Sequence, residues 1–239
     1  MCTNYTPNAR ASFLMDRMGV AQLPQAPWPE ETFPGYPAPI VLLDAAGLAD
    51  HGAPQCVVAR FGLVPRWCKD AAQAKDLGRR TYNARSETAA TKPSFRGPWR
   101  DRHWALAPMD HFYEPCWEDT AQHGGHSVRW RIARSDAQPF AAAGLWEHWV
   151  DPGSGEITTS FTLLTVNADG HPLMGRMHRP GDEKRMPVLI APDQYQAWLH
   201  ATPDEAHRMM RATPASELVG APAPRAGAVH TPPASPTLF

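Results

Sequence analysis

The apolar positions change their period several times along the chain, and each change marks an element. Phe13, Leu14 and Met18 fall at helical spacing, which predicts a short helix over 9–18 with one dry face. Prolines at 24, 27, 29, 34, 37 and 39 then exclude helix and central strand over 23–39, and predict a segment that wraps a surface or lines a groove. Short β-type runs follow at 39–43 and 56–61, and a turn over 62–67 sets Trp67 beside Arg66. Asn83 and Arg85 stand two apart, so in extended backbone both side chains leave one face. Ser86, ahead of a run to Thr91 that contains two alanines, reads as a helix start.

The second half is richer in strands. Residues 104–108 read as a buried strand leading into Phe112-Tyr113-Glu114, and 127–133 alternate Val128, Trp130 and Ile132 against Arg129 and Arg131. Strands over 140–150 and 160–166 are joined through an Asp-Pro-Gly-Ser-Gly turn, and 188–190 reads as one more. Residues 192–199 form an amphipathic helix opened by Pro192, with a second helical segment over 203–211. From Pro214 the chain is rich in Pro and Ala and holds little that can pack. The pattern predicts one domain over 2–212 and a tail over 213–239 that is disordered or laid on the surface.

Composition adjusts this picture modestly. A chain of 239 residues can bury a real core, and its formal net charge of −1 excludes a strong overall attraction to nucleic acid. Between positions 60 and 134, however, 14 Lys/Arg stand against 8 Asp/Glu, which is the local balance a polyanion-binding face requires. The cysteines at 2, 56, 68 and 116 show no paired spacing, so a reduced, cytoplasmic protein is expected rather than a disulfide scaffold or zinc site. His123-Gly-Gly-His126 reads as a flexible hairpin tip before it reads as a metal pair. No apolar run spans a membrane and no signal-peptide pattern opens the chain. No cofactor or metal is expected.

The chemistry concentrates at few positions. Loss of Met1 would leave Cys2 with a free thiol and a free α-amine on adjacent carbons. The amine, with a reference pKa of about 7.7–8.0, is partly neutral at physiological pH and condenses with aldehydes; the thiol then closes a five-membered thiazolidine. Glu114 follows two aromatics, and partial desolvation there would raise its pKa toward the range of a general acid or base. His178 is a second acid/base candidate and Arg185 a candidate phosphate ligand.

Met1-Cys2, Phe61-Gly-Leu-Val-Pro-Arg-Trp67, Asn83-Ala-Arg-Ser-Glu-Thr88, Phe112-Tyr113-Glu114, and His178 ahead of Arg185-Met-Pro-Val-Leu-Ile190 resemble, in order and approximate spacing, the SOS-response-associated-peptidase (SRAP) family over roughly 2–200. The resemblance implies an α+β fold on a curved, barrel-like, mostly antiparallel sheet with peripheral helices and a basic cleft. It implies a monomeric sensor of abasic sites in single-stranded DNA that loses Met1 and forms a thiazolidine crosslink through Cys2. Asn83 would hold the opened sugar, Glu114 would serve as acid/base beside the amine, and His178 would help open the sugar ring. Arg85 and Arg185 would take phosphates, and Trp67 would stack on a base. The chain departs from the family pattern at Thr3-Asn4 in place of Gly-Arg, at Cys68 where a second tryptophan is common, at Pro115 after Glu114, and in the longer insert between His178 and Arg185. Two other classes stay open: an N-terminal-nucleophile cysteine hydrolase using Cys2 and His178, and a non-catalytic single-strand-binding module.

Overall fold

The computed structural model describes residues 2–49, 52–118, 120 and 124–225. Its strands are β1 (Asn4–Pro7), β2 (Pro37–Leu42), β3 (Gln55–Phe61), β4 (Asn83–Arg85), β5 (Trp104–Cys116), β6 (Val128–Arg134), β7 (Phe140–Val150), β8 (Ile157–Asn167), β9 (Arg185–Pro187), β10 (Leu189–Ile190) and β11 (Leu218–Pro222). The helices are short: α1 (Ala45–Ala49), α2 (Ala71–Gly78), α3 (Arg96–Arg100), α4 (Tyr195–His200) and α5 (Pro203–Met209).

Five strands close on themselves. β7 pairs β8, β8 pairs β3 in parallel, β3 pairs β2, β2 pairs β5, and β5 returns to β7 through Trp104↔Leu145 to Met109↔Phe140. The ring excludes water from apolar side chains, among them Phe61, Leu106, Leu145 and Phe161, and Phe61 and Phe161 stack at 5.1 Å. Removal of such side chains from water is the main favourable contribution to the fold. Outside the ring, β1 and β6 flank β5, β4 and β9 flank β8, β10 adds to β7, and β11 adds to β6. α4 docks on β5, where Trp198 Nε1 donates to Ala105 O at 3.0 Å. This is the barrel-like α+β fold with peripheral helices that the resemblance implies.

Several local expectations change. The proline-rich passage ends inside a strand, β2. Two prolines are tolerated because β2 pairs along its whole length with β3 but meets β5 only at Val41 and Leu42, so Pro37 and Pro39 have one neighbouring strand. The run from Ser86 forms successive turns, not a helix; Pro93 interrupts it, and the helix waits until Arg96. Helical turns do form within 9–18, as a π-helical segment Phe13–Arg17 that buries Phe13 and Leu14. Leu218–Pro222, inside the expected tail, pairs with β6 from Leu218↔Arg134 to Pro222↔Trp130. His123 and residues 226–239 lie outside the described residues.

Gly62 fixes the turn that carries Trp67. Its φ is +118°, its N–H donates to Phe161 O at 2.8 Å, and a Cβ there would lie 2.1 Å from Gly78 O. Gly62→Ala is therefore expected to cost more than the roughly 1–3 kcal/mol of an unfavourable backbone conformation, and to lower the melting temperature by several degrees. A thermal melt matching the parent would show that the α2 end moves aside without penalty.

Candidate active site

β1 is the element that brings the start of the chain into the core. It pairs antiparallel with β5, Asn4 opposite Tyr113, so the residues just before it run alongside Glu114 and Pro115. Cys2 is 0 % exposed. From the other side β4, held in parallel on β8, points Asn83 at the same cysteine, and Asn83 Nδ2 donates to Cys2 O at 2.7 Å. Asn83 Oδ1 is buried and has no hydrogen-bond partner among the described residues.

His178 arrives from a third direction. Met177 bridges to Cys116 at the end of β5, and the His178 N–H donates to Pro115 O at 2.8 Å. His178 takes a left-handed backbone, φ +62°, a conformation uncommon for a residue with a Cβ, and this turns its ring inward. His178 Nε2 lies 3.3 Å from Glu114 Oε2. The long insert does not carry His178 away: Lys184 Nζ donates to the carbonyls of His178 and Arg179 and folds the loop back on itself.

Burial sets the protonation states. Glu114 is 1 % exposed, and loss of solvent pushes its carboxyl up to about 7. Burial, and then neighbouring positive charge, pulls His178 down to about 4. Near pH 7 the contact therefore joins a neutral imidazole to a carboxyl that exchanges its proton readily, rather than two ions. Burial, followed by the charge of Glu114, holds the Cys2 thiol well above its usual range, so the thiol stays protonated until something draws the proton off. Thiol, titrating carboxyl and neutral imidazole together can relay a proton during addition to a carbonyl.

The expected DNA contacts divide. Arg85 is exposed and makes one ion pair, with Glu183 at 2.8 Å. Trp67 is 46 % exposed and forms a surface hollow with Arg66, Pro93, Arg96 and Arg100. Arg185 differs from expectation. It is 2 % exposed, and its guanidinium bonds both oxygens of Glu87, Glu183 Oε1 and Thr165 O. A phosphate would have to displace two carboxylates, so Arg185 is a brace between β9, β8 and the loop after β4. A planar fork with five donors suits that task.

Three departures also gain a structure. Asn4 is buried, and its Oδ1 accepts from Arg129 Nη2 at 2.6 Å. Cys68 packs in a small cluster with Val64, Ala74 and Trp149, while Pro115 lines a cleft of about 300 Å³ with Thr3, Tyr113, Glu114 and Arg129. Arg129 was a cation on a strand face in the sequence; in the fold it stacks on Tyr113, 3.3 Å from the ring centroid, and pairs with Glu31. The alternation over 127–133 carried that signal, but only β5–β6 pairing shows which cation meets the cleft.

A closed α+β barrel with a buried Cys–Glu–His group gathered at the head of one strand defines the class. Residues 1–226 match the family described as SOS response associated peptidase (SRAP), and the chain belongs to that family. It is 32% identical over 141 residues to "Abasic site processing protein YoqW" of Bacillus subtilis (strain 168), covering 59% of this chain and 55% of that protein. It is 27% identical over 197 residues to "Abasic site processing protein HMCES" of Mus musculus, covering 66% of this chain and 53% of that one. The chain thus spans about half the length of these curated relatives. A crystal structure of a Bordetella bronchiseptica protein superposes with a TM-score of 0.81 at 29% identity, covering 93% of this chain and 99% of that one. A Bacteroides thetaiotaomicron structure shares the fold, with a TM-score of 0.76 at 20% identity over 92% of this chain and 90% of the other. Among the described residues no helix is long and apolar enough to cross a membrane.

Proposed function

We propose that this protein captures abasic sites in single-stranded DNA by forming a thiazolidine between the opened sugar and Cys2 after loss of Met1. The observation that carries the proposal is the convergence of Asn83, Glu114 and His178 on a cysteine at position 2. The Cys2 α-amine attacks the aldehyde and water leaves; Glu114, poised near neutrality, protonates the departing hydroxyl. The thiol then adds across the imine. Asn83 keeps Cys2 in place through Nδ2 and offers its open Oδ1 to a sugar hydroxyl. His178 exchanges protons with Glu114 as the sugar ring opens.

An abasic site has an aldehyde but no base edge, so recognition must come from backbone charge, stacking and covalent capture. The exposed Arg85 and the Trp67 hollow with its arginines supply the first two. Arg185 acts at one remove, by fixing Glu183 beside Arg85.

Incubation with abasic single-stranded DNA should give a covalent band that survives denaturation. Intact-mass measurement of the active protein should find Met1 absent. A hydrolase or a simple single-strand binder would give no such band, and active protein that retains Met1 would overturn the amine's role.

A further inference from the structure

Tyr5 carries a hydroxyl that the fold buries without using. The side chain is 0 % exposed, its ring meets Phe61 edge-on at 5.7 Å, and its Oη has no hydrogen-bond partner among the described residues. Its backbone is fixed twice, by the register Tyr5↔Phe112 and by reciprocal bonds with Thr32. The ring is therefore held three residues past Cys2, in the same buried cluster. A phenylalanine would fill this space with no polar atom to desolvate, so the hydroxyl makes the fold less stable than it could be.

A second orphan borders the same cysteine. Asn83, whose Nδ2 holds Cys2 O, keeps its Oδ1 buried and unbonded among the described residues. One orphan is an acceptor and the other a hydroxyl. Burial, then the charge of Cys2 when ionised, push the Tyr5 phenol well above its usual range. The two side chains thus share one electrostatic neighbourhood, and the phenol remains a proton donor at every physiological pH.

We propose that Tyr5 is a positioning residue for ring closure, its hydroxyl donating to the Cys2 sulfur as the thiol gives up its proton. This rests on the aldehyde-capture reading above. In closure the S–H bond breaks and an S–C bond forms at the imine carbon. The C=N π pair moves onto nitrogen, and nitrogen takes the thiol's proton, directly or through Glu114. A sulfur anion in a dry site is the unfavourable moment, and a donor already aimed at it lowers that cost. Sulfur takes no part in the preceding attack by the amine. Tyr5 should therefore be silent in the first half of the reaction.

The test is Tyr5→Phe in the full chain, mixed with an abasic single-stranded oligonucleotide and sampled over time with and without a hydride quench. The quench traps imine as well as closed ring, whereas the unquenched sample retains only the ring. Total capture should proceed at the parental rate, while the closed adduct appears about tenfold more slowly, as for loss of one hydrogen bond to a charged group. The melting temperature should equal or exceed the parent's. Parental rates in both samples would make Tyr5 an ordinary core residue and overturn the proposal. Equal slowing of both with a lowered melting temperature would also overturn it, in favour of a structural role. If the parent itself gives no adduct, it is the aldehyde-capture reading that falls.

Discussion

Cys2→Ser is expected to give no DNA adduct that survives denaturation, although it should still bind the strand. Serine keeps the α-amine, so an imine can form and be trapped by hydride, but its hydroxyl is too weak a nucleophile to close the ring. The untrapped imine hydrolyses. The buried setting sharpens the expectation, because Asn83 grips the residue by its carbonyl and is indifferent to the side chain. A stable adduct from Cys2→Ser would transfer the nucleophile elsewhere. Cys116, two residues past Glu114 on β5, would then be examined before Cys68, which lies in a separate cluster with Trp149.

The second large effect is expected at Glu114. Glu114→Gln retains shape and hydrogen bonding but cannot titrate, and a lost general acid typically lowers a rate by about 10²–10⁴. Adduct formation should slow by that order while strand affinity is unchanged. Stability should move the opposite way. The Glu114 carboxyl is raised from 4.5 to about 7 in the fold, so its protonated form is the one the fold prefers. Its contribution is fully present below pH 4.5 and is lost as pH rises through about 7. Glutamine never ionises, so the variant should gain stability relative to the parent between pH 5 and pH 8, by up to about 3 kcal/mol. Melts at the two pH values test this; a difference that does not change with pH would mean that Glu114 is ionised at pH 5 as well.

Much of the site was legible in the sequence because its residues announce themselves locally. Two aromatics ahead of Glu114 forecast its burial, and the i, i+2 spacing of Asn83 and Arg85 forecast one extended face. The turn chemistry of 62–67 put Trp67 at the surface. What stayed hidden depends on pairings between distant segments. Arg185 reads as a free cation until Glu87, 98 residues away, closes on it. β11 looks like tail because Leu218 and Val219 are too few to signal a strand until β6 offers an edge. Tyr5 passes as one more core aromatic, since an unbonded hydroxyl has no signature in composition or periodicity.

The closed ring also sets the smallest piece of chain able to do this chemistry. Cys2 is placed by β1 on β5, Asn83 by β4 on β8, and His178 by the crossing at Cys116, and the ring joins strands a hundred positions apart, as at Arg60↔Ser160. No contiguous fragment holds two of these supports together. A peptide bearing the first strand would keep an aminothiol yet lack every group that gives it selectivity, reacting with aldehydes as free cysteine does. Discrimination among aldehydes is thus a property of the finished barrel, indivisible in a way that the short motifs along the chain do not suggest.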